Sequence, residues 1–348
     1  MMISKSGLSD AVAHGEGPEE VEVRPGAMVS VVITCKDQGS QVVHTIHSVI
    51  EQDVEEAFNI LLIDDGSRDG TIHTARGLFG KRIEIVEKDD SKGWLNSLQL
   101  ACERGAGEIL AFTDPHCTVP SEWLRTIVHC FRSNPRLRIM TGPAFHGFRF
   151  MEKLSALTLH GQFLSMKRGL ARHIFDANFA IARDTLADLL LYLPVSEDIN
   201  DGVGCSLLSS QAKRSGIPIL YEPKTIGHHI SPCFKEYLKE WGGISARNTI
   251  EIRFRNPDER GAGILRYMFL APFIYPAVRM ALDVQNAWRF RKTLRLCCLE
   301  FPLVMAADVA GKLWYFMGLV RSVKMARAHV SVFEGVRPPN RETLDPEW

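Results

Sequence analysis

The sequence predicts an α/β domain, a mostly parallel sheet flanked by helices, followed by a helical, apolar C-terminal extension. Three observations carry this. Short apolar runs of strand length alternate with helically spaced apolar residues between positions 28 and 141. Two of those runs end in acidic turn segments, DDGSRDG at 64–70 and TDPH at 113–116. From about Gly261 the composition shifts to long apolar stretches interleaved with basic residues.

The 348 residues include 41 Lys+Arg and 41 Asp+Glu, a formal net charge of zero. That balance excludes charge-driven disorder of the bulk and a general basic surface, so no nucleic-acid partner is expected. The eight cysteines form no CxxC pair, and Cys297 and Cys298 are adjacent. This suits reduced thiols in a cytosolic protein better than a zinc knuckle or a disulfide framework. Residues 1–27 are polar and rich in Gly and Glu, with no apolar stretch of the secretory kind. They are expected to form a flexible N-terminal arm.

Met28–Thr34 is a β-branched run of strand length, and after Ser40 the spacing of Val42, Val43, Ile46, Val49 and Ile50 is helical. Phe58–Ile63 is a second strand and Arg82–Val86 a third. Ser91–Glu103 is helical, Glu108–Phe112 is a fourth strand, a helix covers about Ser121–Phe131, and a strand lies near Arg138–Thr141. Asp184–Leu193 and Ile199–Ser215 read as helices, and Ile217–Tyr221 as a strand closed by Glu222-Pro223. Parallel sheets covered on both faces bind ligands beyond the carboxyl ends of their strands, where both acidic turns fall.

Those turns hold chemistry. In Asp64-Asp65-Gly66-Ser67-Arg68-Asp69-Gly70-Thr71 the glycines permit a tight turn, with Ser67 or Asp69 able to cap the following helix. A carboxylate there can also accept from a nucleobase N–H or a ribose hydroxyl. Asp114 and His116, two apart on an extended segment, can share a divalent metal, and an oxygen–imidazole donor pair suits Mn²⁺. Glu197-Asp198 sits at a helix start, which fits either a cap or a general base. His228-His229 follows a strand and offers a third metal ligand.

In this order the pieces VVIT, DDGSRDGT, KGWLN, DPH, NFAIAR, ED, GIPILYEP and the terminal His pair resemble family 2 of the nucleotide-sugar glycosyltransferases, from about Met28 to His229. The resemblance implies a GT-A fold and an inverting, divalent-metal-dependent transfer of one sugar from a nucleotide-diphosphate donor to a hydroxyl acceptor. It implies that Asp65 hydrogen-bonds the nucleobase, that Thr34 and Asp37 border the nucleotide, and that Lys92 lies near it. Asp114 matches the first acid of the family DxD and His116 stands in place of the second, with His229 completing a site for Mn²⁺ or Mg²⁺. Asp198 matches the catalytic base, beside Glu197.

Three departures stand out. Thr34-Cys35-Lys36-Asp37 replaces the usual Pro-Thr-Tyr-Asn, the DxD is a DxH, and no QxxRW follows. The last favours single addition over polymerisation. A sugar-phosphate nucleotidyltransferase is the alternative, but it would carry a Gly-rich basic loop after the first strand, and Thr34–Ser40 has one Gly and Lys36. A non-catalytic nucleotide-binding relative would be expected to lack the acids, and Asp65, Asp114 and Asp198 are present.

The expected organisation is an arm over 1–27, a GT-A domain over 28–232 and a helical region over 233–348. In the last, Tyr267–Val278 is too short to span a bilayer, Leu299–Val320 is interrupted by Glu300, Asp308 and Lys312, and a basic cluster lies between them. This pattern fits helices on a membrane surface first, with a short spanning hairpin or a soluble packing lobe as alternatives, and the first implies a location at the inner face of the membrane and an acceptor that is a glycan or glycolipid.

Overall fold

The structure is a computed structural model and describes residues 28–328 except 166, 195–198, 257, 258, 260 and 268. The expected N-terminal arm lies outside the described residues. The described chain divides into two compact units. One holds the residues up to Phe145 together with Ser165–Ile230, and the other holds His146–Leu164 and the residues from Ser231 onward.

The first unit is built on an eight-stranded sheet. Its elements in chain order are β1 (Val29–Cys35), α1 (Gln41–Ile50), β2 (Phe58–Asp64), α2 (Thr71–Phe79), β3 (Glu84–Glu87), α3 (Trp94–Arg104) and β4 (Ile109–Thr113). There follow β5 (Cys117–Thr118), α4 (Trp123–Ser133), β6 (Ile139–Thr141) and β7 (Ala144–Phe145). The helix α5 (Phe150–Thr158) belongs to the second unit. The first unit resumes with β8 (Gly169–Ala171), β9 (Asn178–Ala182), α6 (Arg183–Leu190), α7 (Asp201–Arg214), β10 (Ile219–Tyr221) and β11 (Gly227–His229).

The large sheet runs in the order β3-β2-β1-β4-β9-β6-β10-β8. The connection reverses at β1, with β2 on one side and β4 on the other, both parallel to it. That reversal opens a crevice at the carboxyl ends of β1 and β4. The mostly parallel expectation holds for β1 to β4, and β6 pairs in parallel with β10. Between these groups β9 runs antiparallel to both β4 and β6. Its sequence NFAIA is buried on both faces, so no alternation of apolar and polar residues marks it as a strand. The helix α2 is the one expected to follow the DDGSRDGT turn, and it buries Ile72, Ala75 and Phe79.

The core on one face of the sheet is made by Val31, Ile33, Ile46, Ile60, Leu62 and Trp123, all essentially without exposed surface. Each such side chain contributes about 1.5–3 kcal/mol by leaving water. A three-stranded sheet, β5-β11-β7, closes over the carboxyl edge. One buried side chain ties this edge together. Asn178 Oδ1 accepts from the Trp123 indole at 2.9 Å, while its Nδ2 donates to the carbonyls of Pro143 at 3.0 Å and Thr225 at 2.6 Å.

The second unit is helical. With α5 it contains α8 (Phe234–Glu240), a π-helical turn at Trp241–Ser245, α9 (Ala246–Arg255), α10 (Ala271–Phe290) and α11 (Glu300–Ala328). Residues 146–164 thus pack with these helices, a detour within the 28–232 span expected for the first domain. The cause is α5, whose Leu154, Ala156 and Leu157 are buried against Tyr237, Trp241, Tyr275, Val304 and Tyr315. Asp308 and Lys312, which interrupt the apolar run of α11, are buried. Lys312 Nζ lies 2.8 Å from Asp283 Oδ2 on α10 and 2.6 Å from Asp308 Oδ1.

Replacing Asn178 with Ala would strand the Trp123 indole N–H in the interior and remove a donor from the Thr225 and Pro143 carbonyls, the latter keeping the Gly227 N–H. Unmade buried hydrogen bonds of this kind cost about 2–4 kcal/mol together. Urea unfolding of Asn178→Ala should show that loss in midpoint with an unchanged slope. A variant as stable as the parent would mean that this clasp is dispensable.

Candidate active site

The first cluster lies at the end of β2. Asp64 and Asp65 are adjacent but play different parts. Asp64 is buried and accepts from the Ser67 N–H at 3.0 Å and from the Ser67 hydroxyl, so it folds the turn. Asp65 faces the other way. Its Oδ1 accepts from Lys88 Nζ at 2.8 Å and from the Lys92 N–H at 2.9 Å, and its Oδ2 from Ser91 Oγ at 2.5 Å. Burial alone would raise its pKa, but the hydrogen bonds from Lys88, Ser91 and Lys92 together hold it below the usual carboxylate range. A carboxylate has about four lone-pair sites, so Asp65 keeps accepting capacity while its orientation is locked. Gly66, at φ 81°, is needed here, because a Cβ would come within 3.3 Å of the Ser91 nitrogen.

Lys92 itself contributes its main-chain N–H, and its side chain is exposed. The lysine whose side chain engages Asp65 is Lys88, which is buried and also bonds Ser97 Oγ at 2.7 Å. Sequence reasoning passed over it and over Ser91. Lys88 directly follows β3, and nothing in the EKDDSK run separates an inward lysine from an outward one. Asp37, in the left-handed region at φ 50°, accepts from the Arg68 N–H at 2.7 Å and donates its own N–H to Ser67 Oγ at 2.9 Å. It therefore pins the β1 and β2 loops together. Asp69 accepts from the Gly39 N–H at 2.9 Å and the Thr71 N–H at 3.0 Å, and so caps α2. Thr34, the penultimate residue of β1, is half-buried.

The second cluster lies at the end of β4. Antiparallel pairing of β5 with β11 sets His229 opposite Cys117, and the Ile230 N–H donates to the His116 carbonyl at 3.1 Å. This register brings the two imidazoles together. Their Nε2 atoms are 3.0 Å apart, and His116 Nε2 lies 3.8 Å from Asp114 Oδ2. The ligand-capable atoms of Asp114, His116, Cys117 and His229 all lie within 4.8 Å of one another. His228 points elsewhere, its ring edge-on to Phe145. Of the adjacent histidines, then, His229 joins the cluster.

The donor chemistry fits a divalent cation. His229 Nδ1–H donates to the Ile230 carbonyl at 2.8 Å, which leaves the Nε2 lone pair directed at the cluster. Burial lowers the His116 pKa against the opposing pull of Asp201, favouring the neutral, ligating imidazole. Burial keeps the Cys117 thiol protonated, so it is a poor ligand. The Asp114 carboxyl is pushed up to about 8, first by burial and then by Asp201. Asp176 is raised well above the carboxylate range by burial, Asp114 and Asp201. These acids are poorly compensated without a cation.

Asp176 and Asp201 were missed from the sequence. Asp176 precedes β9, and only the antiparallel direction of that strand brings it to the end of β4 where Asp114 sits. Asp201 opens α7 within SEDIND, a visible concentration of acids. The cap of α7 is Asn200, whose Oδ1 accepts from the Val203 N–H at 3.0 Å. Glu197 and Asp198 lie outside the described residues.

The model of glycosyl transferase family 2 matches residues 30–183. Glycosyltransferase AglE of Haloferax volcanii is 24% identical over 222 residues, which cover 61% of this chain and 70% of AglE. Probable N-acetylgalactosaminyltransferase 7 of Caenorhabditis elegans is 25% identical over 142 residues, 38% of this chain. The match spans 22% of that longer protein. Mannosyltransferase PcManGT from Pyrobaculum calidifontis, solved in complex with GDP-Man and Mn²⁺, superposes with a TM-score of 0.51 at 15% identity, covering 90% of this chain and 91% of its own. The superposition establishes a GT-A fold.

Cation affinity should rise with pH. Asp114 must lose a proton to bind an ion, and its raised pKa places that loss near pH 8. Without metal, the native state holds this proton while the unfolded chain, with a carboxyl pKa of about 3.9, has released it. Stability of the metal-free protein should therefore fall between about pH 4 and pH 8, and Mn²⁺ should restore it. Calorimetric titration with Mn²⁺ at a series of pH values checks this. His229→Ala should weaken binding and His228→Ala should not. An affinity independent of pH and of His229 would remove the cluster as the site.

Proposed function

Residues 30–183 are a glycosyl transferase family 2 domain, and on that premise we propose that the protein is an inverting transferase. It moves one sugar from a nucleotide-diphosphate donor to a hydroxyl acceptor with the help of a divalent metal. The observation that carries this reading is the meeting of Asp114, His116 and His229 beyond β4, beside the strand pair whose other end-loop holds the locked carboxylate of Asp65. The acceptor is a glycan or glycolipid, and the protein works at the cytoplasmic face of a membrane.

Asp114, His116 and His229 would hold Mn²⁺ or Mg²⁺. When bound, such an ion supplies Lewis-acid neutralisation of the diphosphate leaving group. Two imidazoles favour Mn²⁺ over Mg²⁺, which prefers oxygen and water. Asp65 accepts from a nucleobase N–H, with Lys88, Ser91 and the Lys92 N–H keeping it ionised and oriented. Thr34, Asp37 and Lys92 border the nucleotide. Asp198, with Glu197 beside it, takes the proton from the acceptor hydroxyl as the oxygen bonds to the anomeric carbon. The bond from that carbon to the diphosphate oxygen breaks on the opposite face, and the nucleotide diphosphate leaves with the electron pair. A single displacement inverts the anomeric centre.

A panel of nucleotide sugars, assayed for nucleotide diphosphate release with Mn²⁺, Mg²⁺ or EDTA, tests this. Chelation should abolish turnover, and Mn²⁺ should restore it at least as well as Mg²⁺. Asp198→Asn should lower kcat about 10²–10⁴-fold, the usual worth of a positioned base, with little change in donor KM. Full activity in EDTA would overturn the metal's role. Near-normal turnover of Asp198→Asn with loss in Glu197→Gln would exchange the roles of the two acids.

A further inference from the structure

The helices α10 and α11 sort their side chains in an unusual way. Between residues 271 and 324 there are eight basic and three acidic residues. All three acids are engaged within the unit. Asp283 and Asp308 are buried around Lys312, and Glu300 accepts from Lys153 Nζ at 2.7 Å. Of the bases, Lys312 is buried with them and Arg279 lies 3.5 Å from Asp283. The other six, Arg289, Arg291, Lys292, Arg295, Arg321 and Lys324, are exposed or partly exposed.

Apolar residues are turned outward on the same helices. On α10 the exposed positions Phe273, Ala277, Ala281, Val284 and Trp288 recur every three or four residues, a single stripe along the helix. Phe273 and Trp288 are 62% and 65% exposed. On α11 the exposed positions Ala306, Val309, Leu313 and Met317 form a second stripe, which runs off into Arg321 and Lys324. The α10 stripe likewise runs into Arg291 and Lys292. Apolar stripes with basic ends and inward-turned acids complement an anionic lipid surface.

We propose that the exposed apolar stripes of α10 and α11, with their flanking basic residues, lie in the plane of an anionic membrane leaflet. This deepens the membrane-proximal part of the functional reading, and it does not depend on the sugar chemistry. Lying in plane is favoured over crossing. By length and composition Glu300–Lys324 could cross a bilayer. However, α8 and α9 pack against α11, and α9 carries the ion-paired Arg247, Glu251 and Arg255. Crossing would draw those charges, and the Asp283–Lys312–Asp308 cluster, into hydrocarbon.

The test uses the full chain and vesicles of phosphatidylcholine alone or mixed equally with phosphatidylglycerol. The protein should sediment with the mixed vesicles and much less with the neutral ones, and high salt should release part of it. The triple variant R289E/R291E/K292E should lose more than about tenfold in partitioning. Trp288→Ser with Leu313→Ser should lose a similar amount. Both variants should keep wild-type circular dichroism and Mn²⁺ affinity, because the substituted positions are surface ones. Equal binding to both vesicle types, release by detergent alone, or no binding would each overturn the proposal. So would a self-associated chain that Leu313→Ser converts to monomer without affecting vesicle binding. If vesicles bind as expected while wild-type protein turns over no nucleotide sugar, the docking stands and the transferase reading fails.

Discussion

The constraint on which the rest depends is the gathering of acidic groups at the carboxyl edge of the sheet. Burial and then the Asp201 carboxylate raise the cost of ionising Asp114, and burial, Asp114 and Asp201 raise that of Asp176. The imidazoles beside Asp114 do not cancel that charge, since burial favours the neutral form of His116. A fold does not keep such an arrangement for stability, because unpaired buried charge is costly. It is consistent with a site that meets its counter-charge only when loaded, and the tethered tautomer of His229 directs a lone pair to the same place.

The fold supplies this site through two features. The reversal of strand order at β1 opens the crevice, and the small β5-β11-β7 sheet folds His229 back onto His116. Behind them Asn178 bonds the indole of Trp123 and the carbonyls of Pro143 and Thr225, fixing the start of β9 against the edge. The Asp65 cradle is held with equal firmness by three donors from the 88–92 segment. Both clusters therefore sit in short turns directly after strands, and these hydrogen bonds hold their geometry before any ligand arrives.

Much of this was legible in the sequence, for identifiable reasons. The strands β1, β2 and β4 are continuous apolar runs, and the turns after β2 and β4 end in acids, so Asp114, His116 and His229 could be named as candidates, and the structure brings these three together. Other parts were not legible. The antiparallel course of β9 leaves no mark in NFAIA, so Asp176 could not be placed beside Asp114. Lys88 and Lys92 differ only in which way the backbone turns after β3, so Lys92 could be placed near the nucleotide while nothing marked Lys88 as the side chain that engages Asp65. The packing of α5 with the second unit is a long-range choice that local patterning does not encode. The interruptions Asp308 and Lys312 in α11 read as breaks in a span, but they are partners in a buried ionic cluster with Asp283.

The most direct test of the central claim is a crystal structure of the protein with Mn²⁺ and a nucleoside diphosphate, with anomalous scattering measured at the manganese edge. The account predicts one strong peak bound by Asp114, His116 Nε2 and His229 Nε2, with the two imidazoles parted from their present 3.0 Å to admit the ion. A peak held elsewhere, or none while the two histidines stay hydrogen-bonded to each other, would contradict it.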